Sequence, residues 1–445
     1  MSIENLTDFA EDRTRPLPDE VEVAIIGGGI VGAACAYFLA RRGVPTVLCE
    51  KGRIGGEQSG RNWGWVRKQG RDAAELPIMI EAQSIWRGMA SEMGIDVGYR
   101  ERGCLYLARD EREMAMIEAW LPIAESHGLD THAVAGQGLA SILPDGAEDY
   151  VGGIYTPSDG RAEPELAAPA LALAAEKAGA RILTRCAVRG LDTQAGRVSA
   201  IVTERGTIRA GRVILAAGAW SRLFARSLGI TVPQLMVRAT VARTAPAPVV
   251  VEANTWAAHV AIGRRADGGY TVAHGSAVEH LITPSSFRFL RLFWPNLSTG
   301  RRHIKARFGR AFFDELRQPS SWPLDRESPF EANRMLHPEP NPRILAEIRR
   351  HLKATYPALG DLDFAETWAG MIEVSPDALP ILSEVDRPRG LIIATGFSGH
   401  GFGLGPGAGR VLADLALGRE TGHDLSPFRF SRFFDGSPIR ASTGL

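Results

Sequence analysis

A glycine-rich turn placed between a strand and a helix is the feature that most constrains the fold of this chain. The apolar run from Val21 to Ile26 predicts a strand, and the helical apolar spacing from Ile30 to Arg42, closed by Gly43, predicts a helix. A second apolar run, Thr46 to Glu50, follows at once. Strand, helix and strand within about 30 residues make up the βαβ unit of a parallel sheet. The opening of the chain therefore predicts an α/β fold of the Rossmann type.

The turn carries the GxGxxG pattern, which suits a dinucleotide. Its three fixed glycines permit a tight turn, close approach of a pyrophosphate and close packing of the helix on the strand. They are Gly27, Gly29 and Gly32. The helix that starts with Ile30 and Val31 offers free amide groups and a positive dipole to phosphates. Glu50, at the end of the second strand, suits hydrogen bonds from a ribose. These residues alone leave both NAD and FAD open.

Length and charge narrow the class of protein. The 445 residues suffice for two or three domains with sizeable cores, at about 150 residues per domain. With 45% hydrophobic residues, 23% charged residues and 51 basic against 51 acidic side chains, the composition is that of a soluble globular protein. A net charge of zero disfavours a nucleic-acid partner.

Cysteine usage and the N-terminus bear on the compartment. The four cysteines, at 35, 49, 104 and 186, have no CxxC pair and no histidines at zinc spacing, so we expect reduced thiols and no metal site. Residues 1–20 form a polar, acidic tail that does not resemble a signal peptide, and no stretch approaches the ~18 apolar residues of a membrane span. We therefore expect a cytoplasmic protein.

The rest of the chain predicts two kinds of domain. Elements of α/β character are predicted at Leu166–Ala178, Arg181–Thr184, Val198–Thr203, Val213–Ala217, Leu391–Thr395 and Ala408–Leu417. From about Pro233 to Trp368 the patterns are β-like, at Val237–Ala242, Ala258–Ile262 and Gly269–Ala273. An α/β domain interrupted by a β-rich one is the simplest reading.

Residues 285–318 combine basic and aromatic side chains. A solvated helical surface with an apolar underside is the simplest interpretation. Contact with a membrane surface or a partner protein, and attraction of an anionic substrate, are the alternatives.

Three separated segments are more specific together than the glycine turn alone. In chain order they are VAIIGGGIVGAACAYFLARRGVPTVLCEKG at 23–52, RVILAAGAWS at 212–221 and ATGFSGHGFGLGP at 394–406. This set resembles the D-amino acid oxidase family of FAD-dependent amine oxidoreductases, which includes glycine, sarcosine and D-amino acid oxidases and dehydrogenases. The resemblance covers most of the chain except the segment near Thr283 to Pro329.

The resemblance implies a Rossmann-type FAD-binding domain and an antiparallel-sheet substrate domain. It assigns residues 21–90, 155–232 and 366–445 to the FAD-binding domain. It assigns residues 91–154 and 233–365 to the substrate domain, and leaves residues 1–20 as the tail.

Many of the expected FAD contacts follow from the same resemblance. Those implied for the adenosine, pyrophosphate and ribityl parts are Glu50, Lys51, Ser59, Arg61, Asn62, Val188, Gly218 and Trp220. The closing loop from Gly396 to Gly405 is implied to approach the flavin, with contacts from Gly396, Gly399, His400 and Gly401. A glycine-rich backbone that leads into a helix N-terminus would stabilise negative charge on reduced flavin.

Arginines are the expected substrate ligands. Arg67 resembles the family arginine that grips the substrate carboxylate, and a planar guanidinium suits this task because it forms two parallel hydrogen bonds. Its neighbours Lys68 and Arg71 are expected to be solvated charges. Arg264 and Arg265, on a turn between two predicted strands, are secondary candidates for an anionic group.

Three histidines are the candidate catalytic residues. His259 and His274 are placed near the substrate by their offset from a strand that resembles one passing over the flavin, with an ordinary buried histidine as an equal alternative. His400 lies inside the closing loop, as a flavin or substrate contact or as a residue whose backbone matters more than its ring.

The chain also departs from the family pattern. Residues 368–373 contain no cysteine where monomeric sarcosine oxidases tether their flavin, so non-covalent FAD is expected. Gly403 stands where the family has a lysine for the substrate carboxylate, and Thr271 stands near the position of a lysine that activates oxygen. The absence of that lysine near Thr271 weakens the expectation that oxygen is the electron acceptor.

The resemblance implies oxidation of the C–N bond of an amino acid or N-substituted amino acid to an imine, which hydrolyses to an oxo acid and an amine. Spare arginines make an iminodiacetate-like dicarboxylate an attractive substrate. The alternatives are a D-amino acid dehydrogenase that passes electrons to a quinone or carrier, and a flavin-binding subunit of a larger complex. Oligomeric state is left open.

Overall fold

Two large β-sheets organise the computed structural model, which describes residues 16–94, 96–298, 304–359 and 362–442. Its strands are β1 Glu20–Ile26, β2 Thr46–Cys49, β3 Trp65–Val66, β4 Arg100–Glu101, β5 Cys104–Ala108, β6 His132–Val134, β7 Gly152–Thr156, β8 Gly160–Arg161, β9 Arg181–Leu183, β10 Val188–Gln194, β11 Arg197–Thr203, β12 Gly206–Leu215, β13 Leu235–Thr244, β14 Asn254–Ala257, β15 Val260–Arg264, β16 Tyr270–Ala273, β17 Val278–Leu281, β18 Ile304–Arg307, β19 Phe364–Val374, β20 Ile381–Glu384 and β21 Leu391–Thr395.

The helices lie mostly between strands of these sheets. They are α1 Ile30–Arg41, α2 Gln58–Arg61, α3 Leu76–Met93, α4 Glu111–Glu118, α5 Leu121–Ser126, α6 Gly136–Ile142, α7 Pro164–Lys177, α8 Ser221–Ser227, α9 Pro284–Arg288, α10 Leu290–Ser298, α11 Arg310–Arg317, α12 Pro329–Ala332, α13 Pro342–Thr355 and α14 Gly401–Ala416. Short 3-10 turns occur at Ala147–Asp149, Gly218–Trp220, Pro357–Leu359, Ser426–Phe428 and Phe430–Phe433.

The first sheet is the predicted Rossmann-type sheet. Its order is β10-β11-β12-β1-β2-β9, with β21 beside β12 and β20 beside β21. The central strands β21, β12, β1, β2 and β9 run parallel. Both faces are buried: Val23 and Ile25 of β1 join the core formed with α1, α3, α7 and α14, while Ala24 and Ile26 join the core on the opposite face. The predicted α/β class is therefore confirmed.

The second sheet is the predicted β-rich part. Its order is β18-β17-β13-β16-β15-β14-β5-β7-β6, and β19 pairs with β13. Most pairs are antiparallel, but β5 with β14 and β17 with β18 are parallel. A small third sheet, β3-β8-β4, lies outside both. Two of the expected domain limits fall inside strands of this sheet: residue 366 lies in β19, which pairs with β13, and residue 155 lies in β7.

The closing helix begins earlier than predicted. We expected a glycine-rich loop up to Gly405 and a helix from about Ala408, but α14 is already helical from Gly401. Its glycines serve packing against α1 and α3: a Cβ at Gly409 would lie 2.5 Å from the Cβ of Ala34. Close contact between helices thus explains glycines that local sequence patterns assign to a loop.

The basic and aromatic segment folds as α9, α10, β18 and α11, with residues 299–303 outside the description. Its outer surface exposes Phe287, Trp294, Phe308 and Leu316. Of the predicted tail, residues 1–15 likewise lie outside the described part. Among the described residues, no helix is both long and apolar enough to span a bilayer.

Candidate functional site

A cavity of about 840 Å³ is lined by residues of both large sheets. This volume lies within the range of about 300–1,000 Å³ typical of small-molecule sites. The sequence-predicted residues that line it are Gly27, Gly29, Ile30, Val31, Glu50, Lys51, Ser59, Arg61, Asn62, Arg67, Val188, Gly218, Trp220, His274, Gly399, His400 and Gly401. Those that do not line it are Gly32, Gly396, His259, Arg264 and Arg265.

The opening glycine turn lies where β1 and β12 end side by side. Gly27 has φ +111°, and a Cβ on it would lie 2.4 Å from the carbonyl oxygen of Ala216, so a larger residue does not fit. Gly32 packs the helix on the turn, because its Cβ would lie 2.1 Å from the oxygen of Gly27. The Ile30 amide, at the start of α1, donates to Ser59 Oγ at 2.9 Å.

The acidic residue that follows β2 is held against this turn. Glu50 accepts hydrogen bonds from the amides of Gly28, at 2.7 Å, and Gly52, at 2.6 Å. Burial raises the pKa of its carboxyl, and the nearby Lys51 partly opposes that rise. Glycine backbone, a helix N-terminus and this carboxylate line one wall of the cavity, so the residues present fit an adenine dinucleotide.

Lys51 connects the cavity to a distant segment. Its Nζ lies 3.9 Å from the centre of the Trp220 ring and donates to the carbonyl oxygens of Asn333 and Arg334, at 3.1 and 2.6 Å. Trp220 in turn donates to Glu57 at 2.9 Å. The ammonium group of Lys51 therefore binds other residues of the protein, and its contact with Trp220 holds that ring at the cavity wall.

The loop around α2 is ordered by its own polar side chains. Asn62 Nδ2 donates to the carbonyls of Gln58 and Ser59, at 3.1 and 2.8 Å, while Arg61 donates to the carbonyl of Leu336. Burial lowers the pKa of Arg61. These hydrogen bonds fix the segment that carries the predicted contacts Ser59, Arg61 and Asn62, all of which line the cavity.

Of the four residues predicted in the closing loop, Gly399, His400 and Gly401 line the cavity and Gly396 does not. Gly399 has φ +87°. Gly396 has φ +77° and turns the chain. It packs against Ser375, because a Cβ added to Gly396 would lie 3.1 Å from the Cβ of Ser375. Gly403, in the position of the family lysine, is buried against the backbone of Trp65.

Two arginines meet at one part of the cavity. Arg67 lies with its guanidinium carbon 5.4 Å from the centre of the Tyr106 ring. Arg71, expected to be a solvated charge, is only 3% exposed and also lines the cavity. Its Nε donates to the carbonyl oxygen of Arg67 at 3.3 Å, whereas its Nη1 is buried with no hydrogen-bond partner among the described residues. Burial and the charge of Arg67 lower the pKa of Arg71 to about 10.

His400 stands beside these arginines on a buried carboxylate. Its Nδ1 lies 2.8 Å from Oε2 of Glu75, a fully buried residue just before α3. Burial and the charge of Arg71 lower the pKa of His400 to about 4, although Glu75 opposes the change. The imidazole is therefore neutral at neutral pH, and the carboxylate fixes the proton on Nδ1.

The other two candidate histidines have different surroundings. Nδ1 of His274 accepts from the amide of Ala277 at 3.0 Å, so its proton is on Nε2, which lies 3.8 Å from Oε2 of Glu347; the residue lines the cavity. His259 is instead a core residue. Its Nε2 lies 3.2 Å from Thr355 Oγ1, its ring stands 5.0 Å from that of His351, and burial lowers its pKa to about 4. The expectation that His259 faces the substrate is therefore corrected.

The secondary arginine candidates are corrected as well. Arg265 is buried in ion pairs with Glu165 at 2.7 Å, Asp267 at 3.2 Å and Glu163 at 3.4 Å. Arg264 pairs with Glu252 at 3.6 Å. Neither arginine lines the cavity: the start of α7 brings Glu163 and Glu165 to Arg265, and Glu252 pairs with Arg264.

Sequence reasoning missed Arg71, Glu75 and Glu373 as cavity-associated groups. The only local signal for Arg71 was its spacing of four residues from Arg67 across Gly70, which has φ +70°. All four cysteines are free and buried. No cluster of three or more metal-binding side chains is found in the described ranges.

Comparisons with known proteins agree with this geometry. Residues 22–415 match the family described as DAO, FAD dependent oxidoreductase. The fold is similar to that of L-amino acid deaminase from Proteus myxofaciens, with a TM-score of 0.91 and 32% identity, over 95% of this chain and 96% of that one.

Two curated relatives are more distant in sequence. Glycine oxidase from Geobacillus kaustophilus is 27% identical over 92% of this chain and 97% of its own length. Mitochondrial sarcosine dehydrogenase from Mus musculus is 25% identical over 94% of this chain, which spans only 42% of that protein. With its family match and its glycine-lined cavity, the chain belongs to the DAO family of FAD-dependent oxidoreductases.

Proposed function

We propose that this protein uses non-covalent FAD to oxidise the C–N bond of an L-α-amino acid with an apolar side chain, giving an imine that hydrolyses to an oxo acid and ammonia. The observation that carries the proposal is the pair of guanidinium groups, Arg67 and Arg71, at the cavity wall. FAD supplies the acceptor for the hydride and its two electrons when it is bound.

The arginine pair is suited to a carboxylate. Arg71 is a buried cation whose Nη1 has no partner among the described residues, and a buried charge of this kind is costly unless an anion or acceptor meets it. A substrate carboxylate would supply both the charge and the hydrogen-bond acceptors. Arg67, half-buried next to Tyr106, would complete the binding site.

The same two charges favour the reactive form of the amine. A substrate ammonium placed beside two guanidinium groups is disfavoured by like-charge repulsion, so its pKa falls and the neutral amine is more populated. His400 is neutral and has its Nδ1 proton held by Glu75, so its Nε2 is the nitrogen that would accept a hydrogen bond from the neutral amine.

Aromatic walls support an apolar substrate side chain. Trp63, Trp65, Tyr106 and Trp256 line the cavity, and the Tyr106 and Trp256 rings lie 5.0 Å apart. Arg264 and Arg265, two of the spare arginines that favoured a dicarboxylate, do not line the cavity. The likeness to an L-amino acid deaminase and the aromatic walls both support an amino acid with one carboxylate.

Anaerobic bleaching of the flavin tests the proposal. The FAD-loaded protein is mixed without oxygen with L- and D-forms of leucine, phenylalanine and aspartate, with N-methylglycine and with iminodiacetate. We expect L-leucine and L-phenylalanine to bleach the flavin at the lowest concentrations, with release of ammonia. Bleaching only by N-methylglycine or iminodiacetate would refute the assignment.

A second candidate concerns the electron acceptor. Phe293 and Leu297 of α10 line the cavity, while Trp294 on the same helix is 60% exposed. An exposed apolar and basic surface next to the site favours delivery of electrons to a carrier at an anionic membrane. Turnover with a soluble quinone, little peroxide in air and sedimentation with anionic vesicles would support this dehydrogenase; rapid peroxide formation would support an oxidase.

A further inference from the structure

Glu373 is a buried acid in the wall of the cofactor cavity. It lies near the end of β19, pairs through its backbone with Met236 of β13 and is only 3% exposed. The strand pairing fixes its position, so its side chain projects into the cavity wall from the rigid second sheet. The residue is not used by the substrate site around Arg67 and Arg71.

The carboxyl group of Glu373 is only partly satisfied. The Gln58 side chain and the backbone amides of Glu373 and Phe397 donate hydrogen bonds to it, whereas Oε2 is buried with no partner in the described part of the chain. Across the gap lies Gly218, where an added Cβ would be 3.9 Å from Oε2. Oε2 of Glu373 therefore lies at the cavity wall and can form a further hydrogen bond.

The surroundings favour the protonated form of this group. Burial raises the pKa of Glu373 to about 7, and the negative charge of Glu57 adds to the rise, although the hydrogen bonds from Gln58 and from the backbone amides oppose it. Of the cations near α2, Lys51 is paired with Glu57 at 3.4 Å, and Arg61 donates to a backbone carbonyl. Farther along the chain, Asp377 is paired with Arg432 at 2.8 Å.

We propose that Glu373 keeps its proton in the FAD-loaded protein and donates it in a hydrogen bond to the bound flavin nucleotide. An ionised carboxylate in this wall would repel the anionic phosphates of FAD and would lack a donor for Oε2. The neutral acid avoids both penalties and turns the free oxygen into a donor. The inference rests on the FAD dependence of the proposed function, but not on the identity of the substrate.

This role makes FAD affinity depend on pH. A ligand that prefers the protonated form binds with unchanged affinity below the pKa of the free protein and more weakly above it. The dissociation constant should rise by up to about tenfold per pH unit above about pH 7, until the acid also ionises in the FAD-loaded protein. A total change of about 10- to 100-fold corresponds to one hydrogen bond of a buried acid.

Equilibrium release of FAD tests the proposal. Full-length FAD-loaded protein is diluted between about pH 6 and about pH 9, and free FAD is read by its fluorescence. Wild type is compared with Glu373→Gln, whose amide donates without titrating, and Glu373→Ala, which has no donor. Glu366→Gln is the matched control, because Glu366 lies on the same strand but pairs with Arg243 outside the cavity.

We expect wild type and Glu366→Gln to lose affinity above about pH 7, Glu373→Gln to bind equally well at all pH values, and Glu373→Ala to bind about tenfold more weakly already at low pH. A Glu373→Gln curve parallel to that of wild type would overturn the inference. So would a Glu373→Gln variant as weak as Glu373→Ala throughout. Either result leaves the proposed reaction standing, whereas a protein that binds no flavin at any pH removes both.

Discussion

Replacing Arg71 by Met should weaken substrate binding and at the same time stabilise the folded protein. Arg71 is almost fully buried, its Nη1 has no partner among the described residues, and Arg67 stands beside it. Replacing a group that serves only the fold would instead lower stability and leave substrate binding unchanged. The two signs together therefore test whether this guanidinium is kept for a ligand.

The magnitude follows from the perturbed pKa. A value of about 10, well below the ordinary range of an arginine, corresponds to about 3 kcal/mol of unfavourable interaction of the charged group with its surroundings. Removing the charge should raise the free energy of unfolding by up to that amount. Loss of charge-assisted hydrogen bonds to the substrate, worth about 1.5–3 kcal/mol, should raise the half-saturating substrate concentration by about 10- to 100-fold.

Anaerobic flavin bleaching and thermal unfolding of the same preparation are the assays. Arg265→Met is the matched control, because Arg265 is also a buried arginine but is paired with Glu163, Glu165 and Asp267. It should lower the unfolding temperature, since it leaves acidic groups unpaired, without changing the half-saturating concentration. An Arg71→Met protein that is less stable and binds substrate as wild type does would refute the reasoning.

Three further outcomes are expected. The pKa of His259 is about 4 in the folded protein and about 6.5 in the unfolded protein. Its contribution to stability is therefore complete above about pH 6.5 and falls by up to about 3 kcal/mol as the pH drops to about 4. In chemical unfolding, His259→Gln should lose less stability than wild type over this acid range. Gly409→Val should lower the unfolding temperature by overpacking α14 against α1, whereas Gly138→Ala, in an open helical position, should leave it equal or higher. The four buried cysteines should resist a thiol reagent in the folded protein and react only on unfolding; rapid labelling of the native state would contradict their burial.

The first sheet was predictable because its signals are local. The apolar run of β1, the glycine turn and Glu50 lie within one βαβ unit, and each element restricts the next. β1, α1 and β2 have nearly the predicted limits. The start of α14 was not predictable, because its glycines resemble a loop in the sequence. At Gly409 the glycine is required by the close approach of Ala34, which is distant in sequence.

The substrate side was harder because its polar residues meet through tertiary contacts. Arg265 resembles a free cation in the sequence, and only the position of α7 brings Glu163 and Glu165 to it. His259 and His274 are equally plausible from offsets along the chain, but the packing of α13 brings His351 and Thr355 against His259 and makes it a core residue. Which polar side chain is available to the cavity thus depends on helices that are distant in sequence, and local patterns do not reveal their positions.

Two residues that line the cavity each carry a buried polar atom with no hydrogen-bond partner among the described residues. These atoms are Nη1 of Arg71 and Oε2 of Glu373. Arg71 is a cation and complements an anionic substrate group. Glu373 is an acid whose pKa is raised to about 7, and in its protonated form it complements a hydrogen-bond acceptor on the cofactor. A chain selected for stability alone would pair or remove these groups. Because binding restores the missing interactions, FAD and substrate should each stabilise the folded protein according to their affinity, and the two effects should be separable by the Glu373 and Arg71 variants.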